Sequence, residues 1–192
     1  MNASQPISHS KFWKTALLYG VIHFLVMIYG AFIIEQGDCQ WVVPAYLMAL
    51  PVMLSILTLR RIGAGVVVFL PYNILGFFMV YYMDYITYHT MLSVWGAVAW
   101  CLGGLLTGLA ADLAFGFLPA RLPERWRAIL TGAIIGLGIY LTPLVAMRFF
   151  YIPQPPASHY YLFTTGIVYS LSWLLVNGGF AGYTAYAIQA RV

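Results

Sequence analysis

The segment from Tyr81 to His89 holds the densest group of side chains suited to recognising a ligand. It contains four tyrosines together with Asp84 and His89. Aromatic faces attract flat rings and cations, and a carboxylate balances positive charge. This combination favours non-covalent binding of a flat, partly cationic molecule. The alternative interpretation is an ordinary belt of tyrosines at a membrane surface.

A polar helical face leads toward that segment. Asn73, Phe77, Tyr81 (or Val80) and Asp84 recur every three to four residues and would share one side of a helix. An amide facing lipid is costly, so we expect Asn73 to face protein or water. Other side chains within apolar runs also need hydrogen-bond partners, namely Trp95, Trp173 and Asn177.

Two ionisable side chains lie deep inside apolar runs. Burying Asp112 without compensation would cost at least a few kcal/mol, so we expect it to pair with Arg121 or Arg125, or to touch another subunit. His23 is interpreted as a hydrogen-bonded packing residue. A haem or metal ligand needs partners at the same depth, and the other histidines lie at the ends of apolar runs: His9, His89 and His159.

Motifs for catalysis are missing from the sequence. It contains no P-loop, HExxH or GxSxG pattern and no pair of carboxylates within an apolar run. Cys39 and Cys101 fall at different depths, so neither a disulfide nor a CxxC redox pair is expected. The sequence therefore predicts a non-enzymatic protein without a metal or cofactor.

The composition indicates the elements that position these residues. Hydrophobic residues make up 62% of the 192 residues and charged residues 7%, which is typical of an integral membrane protein. A span needs roughly 20 apolar residues, so the sequence predicts a single all-α domain, residues 1–192, with six transmembrane helices. The first is too long for a cleavable signal and is expected to be retained. The predicted spans are Phe12 to Ile34, Val42 to Leu59, Ile62 to Tyr82, Met91 to Leu118, Ala128 to Phe150 and Tyr161 to Ile188.

The distribution of charge predicts the orientation. Eight of the nine Lys and Arg residues fall in loops or at helix ends on one side, and only Arg148 falls on the other. The positive-inside rule then places both termini in the cytoplasm of a multi-pass protein of the cell membrane. The net charge of +4 reflects this orientation and does not indicate nucleic-acid binding.

Small residues four apart predict close helix packing. Such pairs occur in four of the six predicted spans: Ala16 and Gly20, Gly104 and Gly108, Gly132 and Gly136, and Gly178 and Gly182.

Two stretches carry a resemblance to a known family. Leu59-Arg-Arg-Ile-Gly-Ala-Gly-Val-Val67 and Gly108-Leu-Ala-Ala-Asp-Leu-Ala-Phe115 resemble the substrate-binding S components of energy-coupling-factor (ECF) transporters, most closely the subgroup linked to hydroxymethylpyrimidine and thiamine. The family's AxxxA surface appears here as Ala16-x-x-x-Gly20, whereas Phe69 stands where that subgroup would be expected to have a polar or acidic residue.

The resemblance implies a division of labour between subunits. This chain would capture a vitamin-like molecule outside the cell, and a transmembrane T subunit with two ABC ATPases would drive its uptake. Ala16, Gly20 and Asp112 would couple the chain to its partners. The ligand-binding residues would be Tyr72, Asn73, Tyr81, Asp84, His89, Trp95, Trp173 and Asn177.

Two other interpretations stay open. The chain would be a non-catalytic or haem-binding membrane subunit of a redox or other enzyme complex if His23 is a ligand. It would be a scaffold subunit without any ligand if the tyrosine segment is only a belt.

Overall fold

Six helices dominate the computed structural model, which describes residues 8–36, 42–75, 91–92, 94–119, 121–152 and 167–191. Five of them are α1 (His9–Gln36), α2 (Val42–Leu59), α4 (Val94–Phe117), α5 (Glu124–Phe150) and α6 (Ile167–Gln189). The remaining helix, α3, covers Ala64–Leu75 of the described residues. The predicted all-α class is confirmed.

A short ladder ties together the segments that flank α4 and α5. The two-residue strands β1 (Met91–Leu92) and β2 (Tyr151–Ile152) pair antiparallel, with Met91 opposite Ile152. The start of α4 and the end of α5 therefore lie at the same end of the molecule, as expected for antiparallel neighbouring helices.

The other end of the molecule, here called the basic end, carries most of the positive charge. Contacts between residues at helix termini define it. They join Arg60 to Glu124, Arg61 to Phe12, and Gln189 to Thr58. Its cationic residues are Lys11, Lys14, Arg60, Arg61, Arg121, Arg125, Arg127 and Arg191.

The core of the described residues extends from the basic end to the middle of the bundle. Buried apolar side chains from all six helices form one cluster. α2 contributes most to it, because Val52, Met53, Ile56 and Leu57 are all almost fully buried. This helix tolerates Pro51 in its interior, although proline has no N–H to bond the carbonyl four residues earlier.

Glycines allow α5 and α6 to pack backbone against backbone. A methyl group on Gly178 would lie 3.0 Å from the Cα of Gly136, and one on Gly182 would lie 2.7 Å from the carbonyl carbon of Ala128. Larger residues would force these helices apart. The close packing predicted from the glycine pairs of α5 and α6 is confirmed.

The small-residue face of α1 packs inside the chain. Ala16 is fully buried, and a methyl group on Gly20 would lie 2.8 Å from the ring of Pro71 and 3.0 Å from the carbonyl oxygen of Val68. α3 therefore occupies this face. The coupling of Ala16 and Gly20 to a T subunit stays a prediction, and within this chain Gly20 already packs against α3.

Large apolar side chains cover much of the outer surface. On α1 alone, Leu18, Leu25 and Tyr29 are each more than half exposed. By length and composition, one helical segment among the described residues, His9–Tyr29, is long and apolar enough to cross a membrane, a criterion that core helices of soluble proteins also meet. Shorter apolar helical segments are Ala45–Leu59, Ala64–Leu75 and Cys101–Phe117.

Candidate functional site

The predicted ligand site is only partly within the described residues. Tyr72 and Asn73 lie next to each other on α3 and are buried, and Asn177 on α6 is half-buried. Trp95 and Trp173 belong to α4 and α6, but their side chains lie outside the described part of the chain, as do Tyr81, Asp84 and His89 entirely.

Asn73 links α3 to α4 through two hydrogen bonds. Its Nδ2 donates to the backbone carbonyl of Cys101 at 3.1 Å, and the Cys101 thiol donates back to the Asn73 carbonyl at 3.7 Å. Gly104 allows this approach, since a methyl group there would lie 3.2 Å from Asn73 Oδ1. The amide thus faces protein, as predicted.

His23 lies in the same part of the bundle and is fully buried. Its Nδ1 is 3.0 Å from the backbone carbonyl of Met48 on α2. A carbonyl only accepts, so Nδ1 carries the proton in this bond, and Nε2 of the neutral ring is then an acceptor. The rings of Phe69 and Tyr72 meet the imidazole edge-on, with centroids 4.8 and 6.1 Å away.

Together these residues form what we call the His–Asn cluster: His23, Phe69, Tyr72, Asn73 and Cys101. Two buried acceptors within it, His23 Nε2 and Asn73 Oδ1, have no hydrogen-bond partner in the described part of the chain. A buried polar atom without a partner costs about 1–3 kcal/mol. Each of these two atoms therefore has unused capacity to accept a hydrogen bond.

The cluster does not resemble a metal centre. Within the described ranges, no group of three or more His, Cys, Asp or Glu residues could hold a metal ion. The prediction included Tyr72 and Asn73 but missed His23 as an acceptor and Cys101 as the partner of Asn73. The sequence placed His23 inside a span, whereas no sequence pattern indicated which carbonyl Asn73 would reach.

Asp112 caps the start of α3. Its carboxylate accepts hydrogen bonds from the backbone amides of Gly63 and Gly65 at 2.9 Å and of Val66 at 3.3 Å. The first amides of a helix have no partner within the helix, and the helix dipole favours negative charge there. Asp112 on α4 thus acts as the N-cap of α3, a role that a side chain at the start of the helix itself normally has.

This arrangement corrects the prediction for Asp112. Its hydrogen bonds come from backbone amides and not from Arg121 or Arg125. The residue is only 3% exposed, which also leaves almost none of it accessible to a second subunit. The nearby glycines carry the signal that the sequence analysis missed: Gly63 has a positive φ of 100°, and Gly65 packs against Gly108, where a methyl group would lie 2.7 Å from the Gly65 carbonyl oxygen.

Two arginines of the basic end hold helix termini in place. Arg60 forms an ion pair of 2.7 Å with Glu124 at the start of α5. Arg127 donates to the backbone carbonyl of Phe115 near the end of α4, and its guanidinium lies 4.6 Å from the centre of the Phe115 ring. A cation near the last carbonyls of a helix is favourable.

Comparison of the chain with protein-family models, with curated proteins and with solved structures found no match.

Proposed function

We propose that the chain is a multi-pass membrane protein with six spans and that its basic end faces the cytoplasm. Three observations support this arrangement. Hydrophobic residues make up 62% of the chain, large apolar side chains cover the outside of its helices, and its positive charge is concentrated at one end. Lipid would solvate the apolar surface, and the positive-inside rule sets the direction.

Within this arrangement, the protein binds a small molecule that enters from the end opposite the basic end. The observation that carries this proposal is the pair of unsatisfied acceptors in the His–Asn cluster, His23 Nε2 and Asn73 Oδ1. A ligand with N–H or O–H groups would satisfy them, while Tyr72 and Phe69 offer aromatic surface beside them.

Transport is the use of such a site that the sequence resemblance favours. In the manner of an ECF S component, the chain would hand a vitamin-like ligand, such as a thiamine-type pyrimidine, to a T subunit driven by two ABC ATPases. The absence of any nucleotide-binding motif in the sequence agrees with a partner-supplied source of energy. Ala16 and Gly20 stay the predicted coupling face, although Gly20 already packs against α3.

Ligand-induced stabilisation tests the binding proposal. A ligand at 100 times its Kd adds about 2.7 kcal/mol to the stability of the folded state, so thermal unfolding of the purified full-length protein is screened against pyrimidines and other vitamins. We expect a stabilising compound to lose at least about tenfold in affinity in Asn73→Leu, because the leucine leaves a ligand donor unpaired.

Thr131→Val is the matched control for that variant. Thr131 Oγ1 is also buried without a partner, but it lies on α5 outside the cluster. We expect Thr131→Val to keep wild-type affinity. Equal affinity of wild type, Asn73→Leu and Thr131→Val would contradict a ligand site at the His–Asn cluster.

The free Nε2 of His23 also favours a second candidate, a haem-binding subunit of a redox complex. Either ligand of Nε2, an iron atom or a hydrogen-bond donor, requires the rings of Phe69 and Tyr72 to move away from the imidazole, and an iron with its porphyrin requires the larger opening. An absorption spectrum of the purified protein separates the two candidates, since a Soret band would show bound haem and contradict the transport proposal.

A further inference from the structure

The turn between α4 and α5 contains more positive than negative charge. Arg121, Arg125 and Arg127 lie within seven residues of each other. The one carboxylate of this turn, Glu124, is engaged by Arg60 across the basic end at 2.7 Å. Arg121 and Arg125 are exposed and form no ion pair within the described residues.

Apolar side chains flank this charge. Phe117 at the end of α4 is 78% exposed, and Trp126 in the first turn of α5 is 46% exposed. The guanidinium of Arg125 lies 5.9 Å from the centre of the Trp126 ring. Tryptophan beside a cation is typical of the depth at which lipid headgroups meet acyl chains.

The turn is also held in a defined position. Arg127 donates to the Phe115 carbonyl and stacks on the Phe115 ring, while the Leu122 amide bonds the Pro119 carbonyl at 2.8 Å. Arg121 and Arg125 therefore extend from a fixed base, which lowers the entropy lost when a ligand binds.

We infer that this turn binds the headgroup of an anionic phospholipid in the leaflet around the basic end, through Arg121 and Arg125, with the acyl chains beside Phe117 and Trp126. The inference rests on the proposed membrane location. Charge complementarity selects an anionic headgroup, because cytoplasmic leaflets carry anionic lipids and each nearby cation strengthens their binding. The adjoining apolar side chains select a lipid over a soluble phosphate.

Native mass spectrometry of the full-length protein tests this, with phosphatidylglycerol and phosphatidylcholine of identical chains titrated separately. We expect wild type to prefer phosphatidylglycerol by about fivefold for each cation involved. The double variant Arg121→Gln, Arg125→Gln should lose this preference. Glu124→Gln, which removes the negative charge of the turn, should strengthen it, so the inference does not depend on one variant.

Arg148→Gln is the control for position, because it removes one positive charge, half of what the double variant removes, from the other end of α5. It should stay within about twofold of wild type, since solvent and salt screen a distant charge. Equal losses in Arg148→Gln and the double variant would overturn the inference, as would displacement of the lipid by glycerol phosphate. A protein that inserts into bilayers but binds both lipids equally contradicts this inference alone, whereas one that fails to insert contradicts the proposed membrane location.

Discussion

Asp112 contributes to stability through backbone amides rather than through an ion pair. Its carboxylate accepts hydrogen bonds from the buried amide of Gly65 and from the partly buried amides of Gly63 and Val66 at the start of α3. An acid within an apolar run suggests a functional site, but the role of Asp112 in this structure is structural. Asp112 fixes where α3 begins, and α3 in turn carries Tyr72 and Asn73 into the His–Asn cluster.

Removing that carboxylate should destabilise the fold. We expect Asp112→Ala to lower the free energy of unfolding by roughly 2–4 kcal/mol, because it leaves buried amides without an acceptor. Asp112→Asn keeps one acceptor oxygen and should lose about half as much. Unfolding in mixed micelles, followed by circular dichroism, measures both. Equal stability of wild type and Asp112→Ala would show that the cap is dispensable.

For single residues, the sequence identified the important polar side chains more reliably than it identified their hydrogen-bond partners. It identified Asp112, Asn73 and His23 as polar groups in need of partners, because each stands in an apolar run. It did not show that backbone groups would supply them. A prediction based on side-chain charge alone places Asp112 beside arginines. The backbone amides at the start of α3 are indicated in the sequence only by Gly63 and Gly65.

Among the elements, the crossing of α3 and α4 depends on the absence of side chains. Gly65 and Gly108 bring the two backbones together just above the Asp112 cap. α4 also contains a glycine without such a contact. A methyl group on Gly116, near the end of α4, would have no other atom within 4 Å.

We expect alanine to have different effects on the free energy of unfolding at Gly108 and at Gly116. Gly108→Ala should cost about 2 kcal/mol, since its methyl group would push α3 away from α4. Gly116→Ala should be neutral or stabilising by up to about 1 kcal/mol, because alanine loses less backbone entropy in a helix. Thermal unfolding of both variants checks this. Similar losses in both would mean that contact at the crossing is not what requires glycine.

Helix positions were predicted more accurately than helix ends. The predicted second span, Val42 to Leu59, coincides with α2, because arginines follow directly after its apolar run. α5 begins at Glu124 rather than Ala128, since its first turn is charged and an apolar pattern cannot detect it. α4 begins after Met91 and Leu92, which pair with β2 instead. The small-residue pair of α1 predicted a close contact but could not reveal that its partner is α3.

The whole molecule combines an apolar exterior, a polar interior cluster and one basic end. These features fit the proposed membrane location, in which hydrocarbon would surround the apolar exterior and lipid headgroups would face the basic end. Composition predicted the exterior, and the loop charges predicted the basic end. The interior cluster required the packing of α1, α2, α3 and α4, in which His23 contacts Phe69 and Cys101 is bonded to Asn73.

In the topology that we propose, the chain crosses the membrane repeatedly and its basic end lies in the cytoplasm. Cysteine accessibility in intact and permeabilised cells tests it in a Cys39→Ala, Cys101→Ala background. We predict that an impermeant maleimide labels Asp38→Cys in intact cells but labels Arg125→Cys only after permeabilisation. Labelling of both positions from the same side would contradict this topology.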